Sequence, residues 1–421
     1  MKIRKIHVEN FKSFSAIDIE LSKFNVVIGS NAAGKSNFIS IFRFLRDIAR
    51  NGVVNAVALQ GGMENIRNAR IGSSRDLVIR VVYETDPLPE ESGAAGKIPA
   101  GFSVRSCVST YEFSLRFNES TGEFTIPSDR LRIECEVSDC GCSVPGGDSR
   151  PSTGTGVIQV TNEKGEIQYH VSLPAGCCLT QDDIVPLFFR GKRIREQMLL
   201  LETIFGYSFP HTEKFFDRTA VYDFDPRLSK KGVVVTGKRE LDEDAGNLAL
   251  VVKNITEDPQ KKRKFSNLLR DVLPFVEDFS VRKFMDISLV LTLRERYNRS
   301  RDLPASSLSD GTIIIFALII ALYFEDKPFI VIEEPVSHIH PFLISRLMLM
   351  MKEASEHKQV MVTTHSVEVV KHTHIEDLLL VSRDSEGFSI ISRPADKDEV
   401  RTFLENEIGI EDLFVQNLLG L

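Results

Sequence analysis

The opening of the chain alternates apolar and polar positions as short strands do, and then changes to helical spacing. "KIRKIHVENF" and "SAIDIELS" predict a hairpin joined by "KSFS", and "FNVVIG" predicts a short buried strand. In "KSNFISIFRFLRDIAR" the apolar residues recur three and four positions apart, which predicts an amphipathic helix. The predicted order is therefore strand, turn, strand, loop and helix.

Alternating residues predict further strands in the next part of the chain. Three strands and a hairpin that turns at "NEKG" are predicted over Asp76–Glu84, Ser109–Phe117, Arg130–Val137 and Gly156–Leu173. Two stretches rich in Gly, Pro and Ser, "EESGAAGKIPAG" and "GCSVPGGDSRPSTGTG", predict mobile loops.

The pattern becomes helical from about Asp182 to Phe275, and strands return in "FSVRKF" and "ISLVLTLRERY". The last third alternates helix and strand, with strands in "PFIVIEEP", "KQVMVTTHS", "IEDLLLVSR" and "GFSIIS". Alternation of this kind predicts parallel strand pairing and an α/β fold. No apolar heptad persists for several turns, so we expect no long coiled-coil arm.

The composition narrows the classes of partner. A chain of 421 residues with 42% hydrophobic residues is typical of a globular protein with two or three structural units. The net charge of −7 argues against a generally basic nucleic-acid binder, so DNA would need local patches such as Lys261–Lys264 or Gly191–Arg195. The N-terminus lacks a signal-peptide core, and the apolar run Thr312–Phe324 is too short to span a bilayer. We expect a cytoplasmic protein without a membrane segment.

All six cysteines fall between Cys107 and Cys178. Five of them could gather around zinc: Cys135, Cys140, Cys142, Cys177 and Cys178. The spacing C-x4-C-x-C fits no common zinc ribbon or finger, and reduced, partly buried thiols are the alternative.

The stretch "GSNAAGKS" follows a predicted strand and precedes a predicted helix, as a phosphate-binding P-loop does. Backbone N–H groups around Ala32–Lys35 would surround phosphates, Lys35 would reach the β- and γ-phosphates, and Ser36 would ligate magnesium. The alternative is a glycine-rich turn that only starts a helix.

A second acidic element stands at the end of the apolar strand in "FIVIEEP". Ligands bind beyond the C-terminal ends of strands in open α/β sheets, and two adjacent buried acids are costly unless each has a task. Glu333 could hold the magnesium shell, and Glu334 could orient or deprotonate the attacking water. A surface turn is the alternative.

Two further elements could complete the site. In "SSLSDGT", Ser309 or Asp310 would cap a helix, and the same helix start could touch a γ-phosphate held by another subunit. His365, at the end of "VMVTTHS", is either structural or a sensor of the γ-phosphate.

These elements, in this order, resemble the ATP-binding cassette head of the SMC/RecF/OLD class of ATPases. Walker A is "GSNAAGKS", the signature is "LSDGT", Walker B is "FIVIEEP" and the switch residue is His365. The landmarks "NFKSF", "EEP…HP" and "TTHS" are similar to those of prokaryotic OLD-like ATPases, and the similarity covers nearly the whole chain.

The resemblance implies an ABC-type P-loop ATPase head with a parallel-sheet core, an antiparallel β subdomain and a helical insertion. The implied segments are an N-terminal lobe with Walker A (1–84), a β-rich antiparallel subdomain (85–180), a helical insertion (181–278) and a C-terminal lobe with signature, Walker B and switch histidine (279–421). In such ATPases two heads enclose two ATPs, so Ser309 and Gly311 would act on ATP held by the other chain. "SHIHP", Ser337–Pro341, occupies the D-loop position.

The resemblance also implies roles for individual residues. Lys12 lies where the family has a basic residue near the nucleotide, and Gln60 matches the Q-loop residue that couples the γ-phosphate to the lobes. The full predicted set of ATP contacts is Lys12, Gly29, Asn31, Ala32, Ala33, Gly34, Lys35, Ser36, Asn37, Gln60, Ser309 and Gly311. Magnesium would be held by Ser36 and Glu333, and catalysis would use Glu334 and His365.

The chain departs from the family pattern at three points. Asp310 replaces one of the two usual glycines of the cassette signature, and Glu333 stands where many Walker B motifs have aspartate, so turnover is expected to be slow. Only 56 residues follow His365 in this sequence, so we expect no Toprim nuclease domain.

The resemblance therefore implies an ATPase whose homodimer opens and closes with ATP. It would control a separate effector, a nuclease or toxin, in prokaryotic anti-phage defence. Two alternatives stay open: a RecF-like ATPase that binds DNA in repair, and an ATP-bound scaffold that barely hydrolyses.

Overall fold

The structure is a computed structural model that describes residues 2–85, 102–139, 153–175, 191, 193–203, 212–284, 288–406 and 408–420. The loop predicted over "EESGAAGKIPAG" lies outside the described residues. So does "GCSVPGGDSRPSTGTG", except its last four residues, which belong to a strand.

Seventeen strands are described, and their bounds are β1 Lys2–Phe11, β2 Phe14–Glu20, β3 Phe24–Ile28, β4 Leu77–Thr85, β5 Phe102–Asn118, β6 Glu123–Asp139, β7 Thr153–Glu163, β8 Glu166–Ser172, β9 Ala220–Tyr222, β10 Val233–Val234, β11 Val276–Phe284, β12 Ser288–Glu295, β13 Asn298–Pro304, β14 Phe329–Glu333, β15 Gln359–Thr364, β16 Leu378–Arg383 and β17 Ser389–Ser392.

The described α-helices are α1 Lys35–Asn51, α2 Val53–Leu59, α3 Met63–Ile66, α4 Thr212–Asp217, α5 Pro226–Ser229, α6 Leu248–Thr256, α7 Pro259–Val272, α8 Asp310–Tyr323, α9 Pro341–Ala354, α10 Val367–Lys371, α11 Asp398–Glu405 and α12 Ile410–Val415. Among the described residues, no helix combines the length and the apolar content needed to cross a bilayer.

The chain divides into two compact units. The first unit comprises residues 1–22, 37–218 and 383–391, and the second comprises residues 23–36, 219–382 and 392–421. The division into four segments drawn from the sequence stays a prediction.

The first unit is built on antiparallel strands in the order β8-β7-β6-β5-β4-β1-β2, and β17 joins β2 in parallel at Ser389. The predicted hairpin of β1 and β2 is confirmed, although its turn is tighter than "KSFS" because Phe14 already belongs to β2. The hairpin of β7 and β8 turns at Lys164 and Gly165, both with positive φ, within the predicted "NEKG".

Aromatic side chains pack α1 onto this antiparallel sheet. Phe38 lies edge-on to Phe14, and Phe44 contacts both Phe11 and Phe113. All five rings are fully buried, which explains the three-and-four spacing of apolar residues in this helix.

The second unit contains five parallel strands in the order β16-β3-β15-β14-β9. This parallel core, together with the antiparallel strands of the first unit, confirms the predicted α/β class. The sequence reasoning missed β9, because a strand of three residues shows no clear periodicity.

The apolar helix α8 is a buried element of the second unit. Every residue from Gly311 to Leu322 is buried, so the helix is hydrophobic all round. A small antiparallel sheet of β10, β12, β11 and β13 lies in the same unit, where Phe265 of α7 packs against Phe279 and Phe316.

The helical prediction for the middle of the chain is partly right. Helices α6 and α7 confirm it for the second half. It is wrong for residues 193–203, where a single 3-10 turn forms at Leu200–Glu202, because Leu199, Leu200 and Leu201 are all buried together and not along one helical face. Residues 182–190, 192 and 204–211 of the region predicted to be helical lie outside the described residues.

The prediction of reduced thiols is wrong for Cys135, which is disulfide-bonded. Cys140, Cys142, Cys177 and Cys178 lie outside the described residues. A disulfide sulfur is not a thiolate, so Cys135 is not available as a zinc ligand, and zinc binding by the other four cysteines stays a prediction.

Candidate nucleotide-binding site

Three neighbouring strands of the second unit bring the chemically important residues to one edge. Strand β15 pairs in parallel with β3 on one side and β14 on the other. The C-terminal ends of parallel strands meet at the same edge of a sheet, where open α/β sheets bind ligands. The P-loop after β3, Glu334 after β14 and His365 after β15 therefore converge.

Backbone geometry shapes the P-loop. Gly29 has φ 153°, and a Cβ there would lie 2.2 Å from the carbonyl oxygen of Val381, so only glycine fits. Ala32 and Gly34 also have positive φ, at 61° and 122°. Alternating backbone conformations of this kind turn successive N–H groups toward one concavity, and helix α1 begins directly behind it at Lys35. This backbone is compatible with the phosphate-binding role predicted for the loop.

Lys35 is folded over the loop that it follows. Its Nζ donates to the carbonyl oxygens of Gly29 at 2.8 Å and Ser30 at 3.2 Å. Burial lowers the pKa of Lys35, and the nearby carboxylate of Glu334 opposes that shift. The ammonium is thus held next to the cradle and in the field of a catalytic candidate.

Ser36 and Glu333 form the candidate magnesium position. The Ser36 hydroxyl donates to Glu333 Oε2 at 3.1 Å, although the two residues lie far apart in the sequence. A hydroxyl and a carboxylate are hard oxygen donors of the kind that Mg²⁺ prefers beside phosphates. The residues present therefore fit a magnesium ion.

Glu334 is held in an unusual backbone conformation. Its φ of 43° lies in the left-handed region, which costs a non-glycine residue free energy, and its N–H donates to the carbonyl oxygen of Thr363 at 3.0 Å. The Glu334 Oε1 lies 2.9 Å from His365 Nδ1, and the two side chains are 30% and 63% exposed. The strained turn thus aims a solvent-accessible carboxylate and imidazole at each other.

The signature loop is ordered by its own cap. Ser309 Oγ accepts a hydrogen bond from the Thr312 N–H at 3.1 Å, so Ser309 and not Asp310 is the cap of α8. A Cβ on Gly311 would lie 2.7 Å from the carbonyl oxygen of His338. The start of α8 therefore touches the predicted D-loop of its own chain.

That D-loop turn connects the signature to Glu334. The N–H of Ser337 donates to the carbonyl oxygen of Glu334 at 3.1 Å, and His338 adopts φ 63°. Glu334 and Gly311 are thus joined by one short, conformationally restricted turn.

Three of the predicted contact residues belong to the first unit. Lys12 lies in the turn between β1 and β2 with φ 46°, and burial and then Arg43 lower its pKa. The Asn37 amide donates to Ser13 Oγ at 2.8 Å, and Gln60 forms the C-cap of α2. Their predicted contacts with nucleotide stay predictions, as do those of every other residue of the predicted set.

Sequence reasoning missed two residues that shape this site. Thr363, inside the quoted "TTHS", fixes the backbone of Glu334, and the motif itself pointed to it. Lys230 donates to Asp310 Oδ1 of the signature at 2.5 Å. No sequence signal links two residues that far apart.

Two protein families match parts of the chain. Residues 1–115 match a family described as "AAA ATPase domain". Residues 213–371 match an AAA domain family described by the words "AbiEii toxin, Type IV TA system". The first match contains the P-loop, and the second contains the signature, both acids and His365.

A short segment of the chain is similar to a characterised enzyme. It is 43% identical over 47 residues to the protein named Endonuclease GajA of Bacillus cereus (strain VD045). That segment spans 11% of this chain and only 8% of the length of GajA.

Solved structures of SMC heads overlap loosely with the chain. An SMC head bound to the C-winged-helix domain of ScpA has 16% identity and a TM-score of 0.46, covering 93% of this chain and 97% of that one. The SMC head of Thermotoga maritima has 15% identity and a TM-score of 0.42, covering 93% and 99%. An Smc head bound to a ScpA domain derived from Pyrococcus furiosus has 14% identity and a TM-score of 0.44, covering 96% and 98%. Because these TM-scores are below 0.5, the α/β fold is inferred from the strands and motifs described above and not from these overlaps.

Proposed function

We propose that this chain is an OLD-like, SMC/RecF-type ABC ATPase that hydrolyses ATP as a dimeric switch. The motifs and the two AAA domain matches support this proposal. In this proposal ATP closes two copies of the chain, hydrolysis reopens them, and a separate effector protein responds to the closed state. The observation that carries the proposal is the meeting of the Ser36–Glu333 and Glu334–His365 pairs at one sheet edge.

Each residue at that edge has a distinct task in hydrolysis. The loop N–H groups and Lys35 would hold the triphosphate, and Ser36 and Glu333 would hold Mg²⁺, which would neutralise charge on the phosphates. Glu334 accepts a proton from the attacking water as the water oxygen bonds to the γ-phosphorus and the bond to the bridging oxygen breaks. His365 orients Glu334 through the 2.9 Å contact and senses the γ-phosphate.

The signature supplies the dependence on a second chain. Ser309 is exposed at the start of α8, and Gly311 contacts the turn that carries Glu334 in its own chain. If Ser309 closes on the partner's γ-phosphate, the same movement reaches the chain's own catalytic acid. A γ-phosphate shared by two subunits makes association depend on ATP, which is a two-state switch.

The names of the matched proteins support a role beside an effector. One matched family is named after a toxin of a Type IV toxin–antitoxin system, and the short matched segment occurs in an endonuclease. We therefore place the switch in prokaryotic anti-phage defence, with a nuclease or toxin as its effector. Copurification of the tagged chain from its host would identify that effector, and recovery of the chain alone with and without ATP would count against one.

Light scattering tests the switch itself. Wild-type protein should change from one chain to two when Mg²⁺ and a slowly hydrolysed ATP analogue are added. Ser309→Arg should keep nucleotide binding by the single chain and lose the change in mass, because a bulky side chain would block closure. Association of Ser309→Arg equal to that of the wild type would overturn the assignment.

A DNA-binding repair ATPase is the alternative, and the exposed basic side chains of α7 favour it. Lys261 and Arg263 are exposed there. Lys264 instead lies over the rings of Tyr323 and Phe324, 5.7 and 5.5 Å from their centroids. This alternative predicts DNA affinity that falls steeply with salt, whereas the switch predicts little DNA binding by the isolated chain.

A further inference from the structure

The signature loop carries an acid that is paired within its own chain. Asp310 is the first residue of α8, one position after the cap Ser309. Its Oδ1 accepts a hydrogen bond from Lys230 Nζ at 2.5 Å, and Lys230 is the C-cap of the short helix α5. The side chains are 38% and 22% exposed, so the pair lies at the surface and not in the core.

The surroundings of this pair are positive. The hydrogen bond from Lys230 is the largest cause that lowers the pKa of Asp310, and the charges of Lys230, His338 and Arg227 act in the same direction. Asp310 is therefore a carboxylate at neutral pH, and its negative charge is cancelled locally.

An unpaired carboxylate at this position would oppose the proposed closure. A triphosphate is strongly anionic, and like charges brought together at an interface oppose association. Ser309 and Asp310 are adjacent, so whatever anion Ser309 meets also lies near Asp310. The chain therefore needs a cation that stays with Asp310 during closure.

We propose that Lys230 is a positioning residue for the second half of the composite site: by neutralising Asp310, it allows the signature loop to close on ATP held by a second copy. This inference rests on the proposed function and adds to it a residue outside all the recognised motifs. Lys230 acts through Asp310 and not by touching phosphate.

The test is a double-mutant cycle read out by association. Dimerisation is measured by analytical ultracentrifugation with Mg²⁺ and a slowly hydrolysed ATP analogue for wild type, Lys230→Met, Asp310→Asn and the double variant. Lys230→Met should weaken dimerisation about tenfold or more, because it exposes the charge of Asp310. The double variant should recover most of the loss, because the carboxylate is gone.

The matched control is Lys231→Met, which removes the exposed neighbouring lysine and should associate as the wild type does. The Lys230→Met defect should also shrink at high salt, as expected of a screened surface charge. Two results would overturn the inference: normal association of Lys230→Met, or a double variant as impaired as Lys230→Met. Absence of ATP-dependent association in the wild type would instead refute the proposed function, so the two failures are distinguishable.

Discussion

Two polar clusters, one in each unit, differ in burial and in backbone strain. In the second unit, Glu334 and His365 are partly exposed, and Glu334 has a strained backbone. In the first unit, Asp129, Tyr111 and Asn162 are almost completely buried. Both clusters contain a carboxylate with a hydrogen-bonding partner, so chemical composition alone does not separate them.

The two clusters differ in how many hydrogen bonds their carboxylates accept. Asp129 accepts from Tyr111 at 3.0 Å, from the Asn162 amide at 3.0 Å and from the N–H of Leu200 at 2.7 Å. The Asn162 amide also donates to the carbonyl oxygen of Met198, at 2.9 Å. These bonds tie the segment around Leu200 to the β strands of the first unit. A buried acid whose hydrogen bonds are all made stabilises the fold, whereas a strained and accessible acid is available for chemistry.

Removal of the P-loop lysine should have the largest effect on function. Lys35→Ala should lower ATP binding or hydrolysis by at least ~100-fold, because the loop loses the ammonium that is predicted to reach the β- and γ-phosphates. Isothermal titration with ATP and phosphate-release kinetics measure both quantities. Normal affinity together with normal turnover would contradict the cradle.

Glu334→Gln should separate binding from turnover. The amide keeps the size of the side chain but accepts no proton, so turnover should fall by ~10²–10⁴-fold while ATP affinity is retained. The ATP-bound dimer should then accumulate. Asp129→Asn in the other cluster serves as the comparison, since it should leave turnover near the wild-type value.

Asp129 should control stability. Asp129→Ala leaves Tyr111 and the Leu200 N–H without their acceptor, and we expect a loss of about 3 kcal/mol in the free energy of unfolding. Chemical denaturation measures it. A loss of turnover without a loss of stability would reverse the roles assigned to the two clusters.

Asp129 should also make stability depend on pH. Burial raises its pKa from 3.8 to about 7, so the folded chain keeps a proton that the unfolded chain releases in that window. Stability contributed by this group is present below the window and is lost as pH rises through it. Asp129→Asn should flatten this slope in denaturation curves between acid and neutral pH, whereas an unchanged slope would assign the dependence to other groups.

Gly311→Ala should have the smallest effect. The added methyl group would meet the His338 carbonyl at 2.7 Å, so we expect a cost of about 1–3 kcal/mol and weaker coupling of the signature to Glu334. Melting temperature and ATP-dependent association measure these effects. Gly237→Ala is the matched control because a Cβ there meets nothing within 4 Å.

Much of the second unit could be predicted from the sequence, because its strands are continuous apolar runs and its motifs are local. The P-loop, the two acids and His365 each stand at the end of such a run. The contacts between them could be anticipated from one rule, the shared edge of parallel strands. Strand β9 could not be predicted, since three residues are too few to show the alternation of a strand.

The first unit was predicted less completely, because its decisive interactions are distant in sequence. No sequence pattern near Asp129 predicts that its carboxylate accepts a hydrogen bond from the N–H of Leu200. That bond is made at the 3-10 turn, where a helix was expected. The pair of Lys230 and Asp310 in the second unit was not predicted, for the same reason. Side-chain charge pairs across folded elements leave no periodic trace in a single sequence.

If each chain completes the other's nucleotide site, two variants that are inactive for different reasons should complement each other when mixed. A mixture of Lys35→Ala and Ser309→Ala, which removes the hydroxyl without adding bulk, contains dimers in which an intact P-loop faces an intact signature, so phosphate release should exceed that of either variant alone. A mixture of Lys35→Ala and Glu334→Gln should stay inactive, because both defects lie in the half of the site that each chain builds for itself. Failure of the first mixture to regain activity, or full activity of Ser309→Ala alone, would contradict the account.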